Sequence, residues 1–118
     1  MDDDDLRARR IASNEALGRQ INERIAAQRG VESGESMSVV CECGDGDCES
    51  RLDVRWETYR AVRQNPMWFI LVEGHEVLEM ERVVKREGVL VVSEKIASAR
   101  QALEAIDPYS ADGASTGD

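Results

Sequence analysis

The stretch "VVCECGDGDCESR", residues 39–51, carries every cysteine of the chain, at Cys41, Cys43 and Cys48. The spacing is C-x-C-x4-C. β-branched residues lead into it and a Gly-Asp repeat fills its second half. Residues two apart on an extended chain project to the same side, so Cys41 and Cys43 aim together. The two glycines of "GDGD" let the loop fold back, turn backbone N–H groups toward the sulfurs and return Cys48 from the far side. Three converging thiolates suit zinc, which takes four soft or borderline ligands in a tetrahedron. The fourth ligand must come from elsewhere. His75 is the one imidazole of the chain, follows Gly74, and is separated from Cys48 by 26 residues. The expected metal set is therefore Cys41, Cys43, Cys48 and His75, with Zn2+ as the ion.

Other readings of the same residues stay open. A disulfide would leave one thiol over, and a Cys41–Cys43 bridge would close a very small strained ring. Reduced packing cysteines fit poorly in a loop rich in Asp and Gly. An iron–sulfur cluster can use such ligands, but the spacing is not that of a ferredoxin. The bland reading of His75 is a surface turn residue. In that event Glu42, Asp45, Asp47 or Glu76 would contribute an oxygen.

Working outward, the chain has 118 residues and a net charge of −9. It opens on the charge run Met-Asp-Asp-Asp-Asp and closes on the small polar run "YSADGASTGD". Neither buries enough apolar surface to offset its ordering entropy. The packed part is then roughly 80 to 90 residues, a size at which a core alone is marginal and a metal staple is useful. With two Trp, two Tyr and one Phe, the core must be mostly Val, Ile, Leu and Met. The acidic surface disfavours phosphate backbones. The arginine-rich groups Arg7/Arg9/Arg10, Arg55/Arg60/Arg63 and Arg82/Lys85/Arg86 are expected to balance neighbouring carboxylates. No apolar run approaches 18 residues, and no basic-then-apolar leader opens the sequence, so a membrane span and a secretory signal are not expected. The expected location is cytoplasmic, where thiols stay reduced.

Residues 13–29, "SNEALGRQINERIAAQR", read as a helix that can begin as early as Asp5. Leu17, Ile21 and Ile25 repeat every four residues, and this stripe is expected to face the core, with docking on a partner as the alternative. Ser13 is the expected N-cap and Arg29-Gly30 the stop. Gly18, inside the helix, costs about 1 kcal/mol relative to Ala. "MSVVCE" and "RLDV" are strands flanking the cysteine loop. "RWETYRAVRQN" is a helix that sets Trp56, Tyr59, Val62 and Arg63 on one side and stops before Pro66. "MWFILV", a continuous apolar run, suits a central strand covered on both faces. "EGHE" is a turn. "ERVVKRE" and "VLVVSEKI" flank Gly88 as a hairpin. "ASARQALEAI" reads as a short C-terminal helix.

The runs "CECGDGDC", "YRAVRQNP", "FILVEGHE", "ERVVKREG" and "VVSEK", with "SNEALGRQINERI", resemble a family of small actinobacterial proteins. Its motifs read C-E-C, C, E-Y-x-x-V-R, P-G-H-E, E-R-V-V and V-V-E-K, and the likeness covers about residues 13–95. Glu73 stands where the family has Pro, and Thr58 where it has Glu before Tyr59; neither change touches a ligand. The resemblance implies that the cysteines and the Gly-His-Glu turn belong to one site. It implies no activity.

Three cysteines and a histidine fill a tetrahedron, and three thiolates weaken a metal's Lewis acidity, so a structural zinc is the expected reading. H-E-x-x-H, deaminase, phosphate-loop and calcium-loop patterns are missing. The sequence thus predicts an α+β fold: a small zinc-stabilised domain over 13–96, with an N-terminal helix, a mixed or antiparallel sheet and a C-terminal β-hairpin. An extension over 1–12 precedes it and a tail over 97–118 follows. Its expected role is a protein-interaction or regulatory module whose partner is another protein. One alternative is a zinc hydrolase or lyase with an open site and Glu76 as base. Another is a thiol-based redox or metal sensor.

Overall fold

The structure, a computed structural model, describes residues 3–29 and 34–96. The order is α1 (Asp3–Arg29), β1 (Ser36–Val40), β2 (Arg51–Arg55), α2 (Trp56–Arg63), β3 (Trp68–Val72), β4 (Glu81–Glu87) and β5 (Leu90–Lys95). The fold is α+β, with an N-terminal helix and two small antiparallel sheets, β1-β2 and β3-β5-β4. The expected hairpin around Gly88 is β4-β5, and Gly88 takes φ +59°, which residues with a side chain rarely adopt. The C-terminal helix and the tail expected over 97–118 lie outside the described residues.

Each face of β3-β5 has its own cover, which is why "MWFILV" is apolar throughout. Ile70, Leu90 and Val92 face Met37, Val39, Leu52 and Val54 of β1-β2 and Tyr59 and Val62 of α2. Phe69, Leu71 and Val91 face Ala12 and Ala16 of α1, together with Cys41 and Cys43. β3 is nevertheless not central: it forms one edge, and β5 is the middle strand. Burial of both faces does not specify strand order, because a helix or a second sheet can cover an edge strand as completely as an inner one.

The second difference concerns α1. The helix begins at Asp3, and Ser13, the expected cap, is an exposed mid-helix residue. Leu17 and Ile21 do not face the core; they are 55% and 40% exposed, and only Ile25 of that stripe packs against buried residues. The inward face is Ile11, Ala12, Glu15, Ala16, Arg19 and Asn22. Small residues let the helix approach closely, and polar ones meet partners from distant strands. Arg19 Nη1 donates to Pro66 O at 2.6 Å, and its guanidinium lies 5.2 Å from the Phe69 ring centre.

Glu15 is fully buried and pairs with Lys95 Nζ, which also bonds Glu81 Oε1 at 3.0 Å. Glu81 Oε2 accepts from Val77 N at 2.8 Å. Two carboxylates thus share one buried ammonium. Burial, opposed by Lys95 and reinforced by Glu81, pushes the Glu15 carboxyl well above its ordinary 4.5. A native value above the unfolded one means the folded chain holds a proton that unfolding releases. This contribution to stability is complete below pH 4.5 and is lost as pH rises toward the native value. Urea titrations of wild type and Glu15→Gln at a series of pH values are expected to diverge accordingly. Wild type should lose ground to the variant as pH rises, by at most about 1.4 kcal/mol per pH unit. A difference independent of pH would mean that Glu15 is ionised throughout.

At the surface the basic groups are paired as expected, among them Arg7–Glu79 at 2.7 Å, Arg82–Glu94 at 2.7 Å and Arg86–Glu76 at 3.4 Å. Such exposed pairs contribute little to stability.

Candidate metal centre

β1 ends at Val40, and the chain leaves it through Cys41-Glu42-Cys43 along the outer edge of β3. Pairing within the sheet uses one side of β3, so the N–H groups of Ile70 and Val72 point outward. Ile70 N donates to Glu42 Oε1 at 3.0 Å, and Glu42 N donates to Ile70 O at 2.7 Å. Val72 N donates to Cys41 Sγ at 3.2 Å. The open edge of β3 is therefore closed by the C-E-C segment, and one of its amides is aimed at a sulfur. This N–H comes from β3, a source outside the loop that sequence reasoning did not consider.

The Gly-Asp segment turns back as expected. Asp47 N donates to Asp45 Oδ1 at 2.9 Å and Cys48 N to Asp45 O at 3.1 Å. This brings Cys48 over Cys41 and Cys43. On the other side β3 runs into a turn in which Gly74 takes φ +90° and His75 N donates to Val72 O at 3.0 Å. His75 Nδ1 then lies 3.5 Å from Cys41 Sγ and 3.6 Å from Cys48 Sγ. One ligand atom from each of Cys41, Cys43, Cys48 and His75 falls within 4.8 Å of the others. All four residues singled out in the sequence thus come together, and the group can hold a metal ion. All three cysteines are free thiols.

With protons alone on the sulfurs, Cys41 and Cys43 titrate as a pair. The hydrogen bond from Cys41 holds Cys43 down at about 5, and the same bond, with burial, pushes Cys41 up. A site that already retains a thiolate at neutral pH is prepared for a cation.

Two of the oxygen donors considered from sequence, Glu42 and Glu76, have other roles. Glu42 is fully buried and turned away from the sulfurs, as the alternation along C-E-C requires. Its carboxylate accepts from Arg63 Nη2 at 2.7 Å, from Asn22 Nδ2 at 2.7 Å and from Ile70 N. Glu76 Oε1 accepts from Gly74 N at 2.9 Å and Oε2 meets Arg86 at 3.4 Å. Backbone amides of the turn, with help from Arg86, hold the Glu76 carboxyl below its ordinary value.

α1 seats the loop from above. Asn22 pairs with Val40 as a strand would, donating to Val40 O at 2.9 Å and accepting from Val40 N at 2.8 Å. Asn14 Nδ2 donates to Gly44 O at 2.7 Å. A Cβ on Gly18 would stand 3.1 Å from Glu42 Cα, which accounts for a glycine inside the helix. Asn22 and Glu42 were not read as a unit in the sequence. The only signal for them is a polar residue recurring on what proves to be the helix's inner face.

No protein-family model matches the chain, and neither a curated protein nor a solved structure is significantly similar to it. Among the described residues no helix is long and apolar enough to cross a membrane.

Proposed function

We propose that the chain is a small zinc domain of the cytoplasm whose Cys3His site is structural, and that it serves as an interaction or regulatory module docking on another protein. The observation that carries this reading is the convergence of four ligand atoms within 4.8 Å. A tetrahedral zinc with Zn–S near 2.3 Å and Zn–N near 2.05 Å has a sulfur–nitrogen edge of about 3.6 Å. The two sulfur–nitrogen distances, 3.5 and 3.6 Å, fit that edge. Zinc here would neutralise two of three thiolate charges and join the loop after β1 to the turn after β3. The likeness to the actinobacterial family belongs to the same proposal, since it implies one site made from these two segments.

A closed structural site is favoured over an open catalytic one by the placement of Glu76. Both its oxygens are engaged with the turn amide and Arg86, and a carboxylate held below its ordinary value is a poor general base. The test is zinc affinity by competition with a chromophoric chelator, run beside thermal melts. His75→Ala is expected to weaken zinc binding at least tenfold, more than about 1.4 kcal/mol, and to lower the midpoint. Glu76→Gln is expected to leave affinity unchanged and to cost under about 1 kcal/mol. Unchanged affinity in His75→Ala would remove His75 from the ligand set and turn the reading toward an open, three-cysteine site.

A further inference from the structure

A cavity of about 150 Å³ lies between α1 and the cysteine loop. Leu17 and Ile21, the exposed helix residues, form one wall, and Cys41, Cys43 and Cys48 face it from the other; His75 does not line it. The cavity therefore reaches the site from its sulfur side. We propose that this cavity admits a peroxide-class oxidant to Cys48, and that oxidation joins Cys48 to Cys43 and expels the metal, a step that rests on the metal reading above.

The size and polarity of the opening select the oxidant. Hydrogen peroxide is little larger than a water, whose share of liquid volume is about 30 Å³, so the cavity holds it with room to align. It is neutral, so neither the thiolates nor Asp45 on the cavity wall repels it. A bulky anionic disulfide is excluded on both counts. Cys48 is the sulfur to react. It is half-buried whereas Cys41 and Cys43 are buried, and it follows an exposed turn.

The steps balance as follows. The Cys48 thiolate attacks one peroxide oxygen; an S–O bond forms, the O–O bond breaks and hydroxide leaves. A second thiolate then attacks the sulfenic sulfur; the S–S bond forms, the S–O bond breaks and a second hydroxide leaves. Two sulfurs have lost two electrons, the peroxide has gained them, and two protons from solvent complete two waters. Cys43 is the partner because it shares the Gly-Asp loop with Cys48. Cys41 is held back by the Val72 amide at 3.2 Å and by its own N–H to Ser50 O at 3.0 Å. The metal keeps one sulfur and one nitrogen, too few for a stable site.

The experiment uses the full chain, with zinc content measured first. Hydrogen peroxide is added in the presence of a chromophoric zinc chelator, and the product is mapped by mass spectrometry. The expected result is zinc release coincident with loss of two hydrogen masses from a peptide pair linking Cys43 to Cys48. Leu17→Trp, a surface change at the cavity wall, should slow release several-fold without altering zinc affinity. Cys48→His, which keeps a nitrogen donor in a Cys2His2 set, should hold its zinc at peroxide levels that strip wild type. Retention of zinc by wild type, a disulfide through Cys41, or equal rates in Leu17→Trp would each overturn the proposal. A chain that binds no zinc before oxidation refutes the metal reading instead, and the mapped cysteine pair still decides the site of attack.

Discussion

Stripping the metal with a strong chelator, or replacing Cys43 with Ser, is expected to unfold most of the domain. The four candidate ligands come from two segments far apart in sequence, 41–48 and the turn at 75, and their convergence fixes more than a loop. The same loop closes the edge of β3 through Glu42 and Cys41 and receives α1 through Asn14, Gly18 and Asn22. With no cation among them, three sulfurs within 4.8 Å of one another ionise only in part, since each thiolate formed disfavours the next, and two of them are buried. A structural zinc contributes of order 10 kcal/mol of apparent free energy, comparable to the whole stability of a small domain. Each kcal/mol moves the thermal midpoint of a domain this size by about 4–8 °C, so losing even a third of that contribution lowers it by about 15 °C or more. The near-UV CD of Trp56 and Trp68, both partly buried against the core, should collapse together with the midpoint. If both survive verified metal removal, the metal is dispensable to the fold and the structural reading is wrong.

The second large effect is expected at Glu42. This carboxylate is fully buried and binds three elements at once: Asn22 of α1, Arg63 of α2 and the Ile70 amide of β3. Glu42→Ala leaves the Arg63 guanidinium, itself only 12% exposed, without its anion and orphans two further donors. Breaking a buried ion pair from one side costs about 3–5 kcal/mol, most of it from the uncompensated charge left behind. Urea unfolding at saturating zinc separates this loss from any change in metal affinity. Replacing Arg63 by Met in the same background should recover part of it, because the stranded charge is then gone. A loss below about 1 kcal/mol for Glu42→Ala would mean that water replaces the carboxylate and that the site is less enclosed than its burial implies.

The Cys3His cluster was legible because it depends on residue type. Few side chains offer a soft donor, all three thiols lie within eight positions, and there is one imidazole to complete them. Alternation along C-E-C set Cys41 and Cys43 on one side, but Glu42 stayed open as an oxygen donor until the structure turned it toward Arg63, Asn22 and Ile70. Strand and turn chemistry were legible for a similar reason. β-branched runs, Pro66 and the positive φ at Gly74 and Gly88 are local preferences that no distant contact opposes.

The inner face of α1 was not legible, and neither was the order of the β3 sheet. Periodicity assigns the apolar stripe to the interior, yet Leu17 and Ile21 line an open cavity while Glu15, Arg19 and Asn22 are buried. Those polar groups can be buried only because Lys95, Pro66, Val40 and Glu42 supply partners from 18 to 80 residues away. The identity of a buried polar residue carries no record of a partner so distant, and an unsatisfied one would be costly enough to argue against burial. Strand order is likewise a choice among long-range pairings that the apolar run in β3 satisfies equally well at an edge or in the middle. The sequence by itself determined the candidate ligand set, the elements and their turns, since each follows from side-chain chemistry and local backbone preference. Only the tertiary structure decided which face of the helix is buried, which strand is central and what Glu42 binds, because those depend on donors and acceptors brought together by the completed fold.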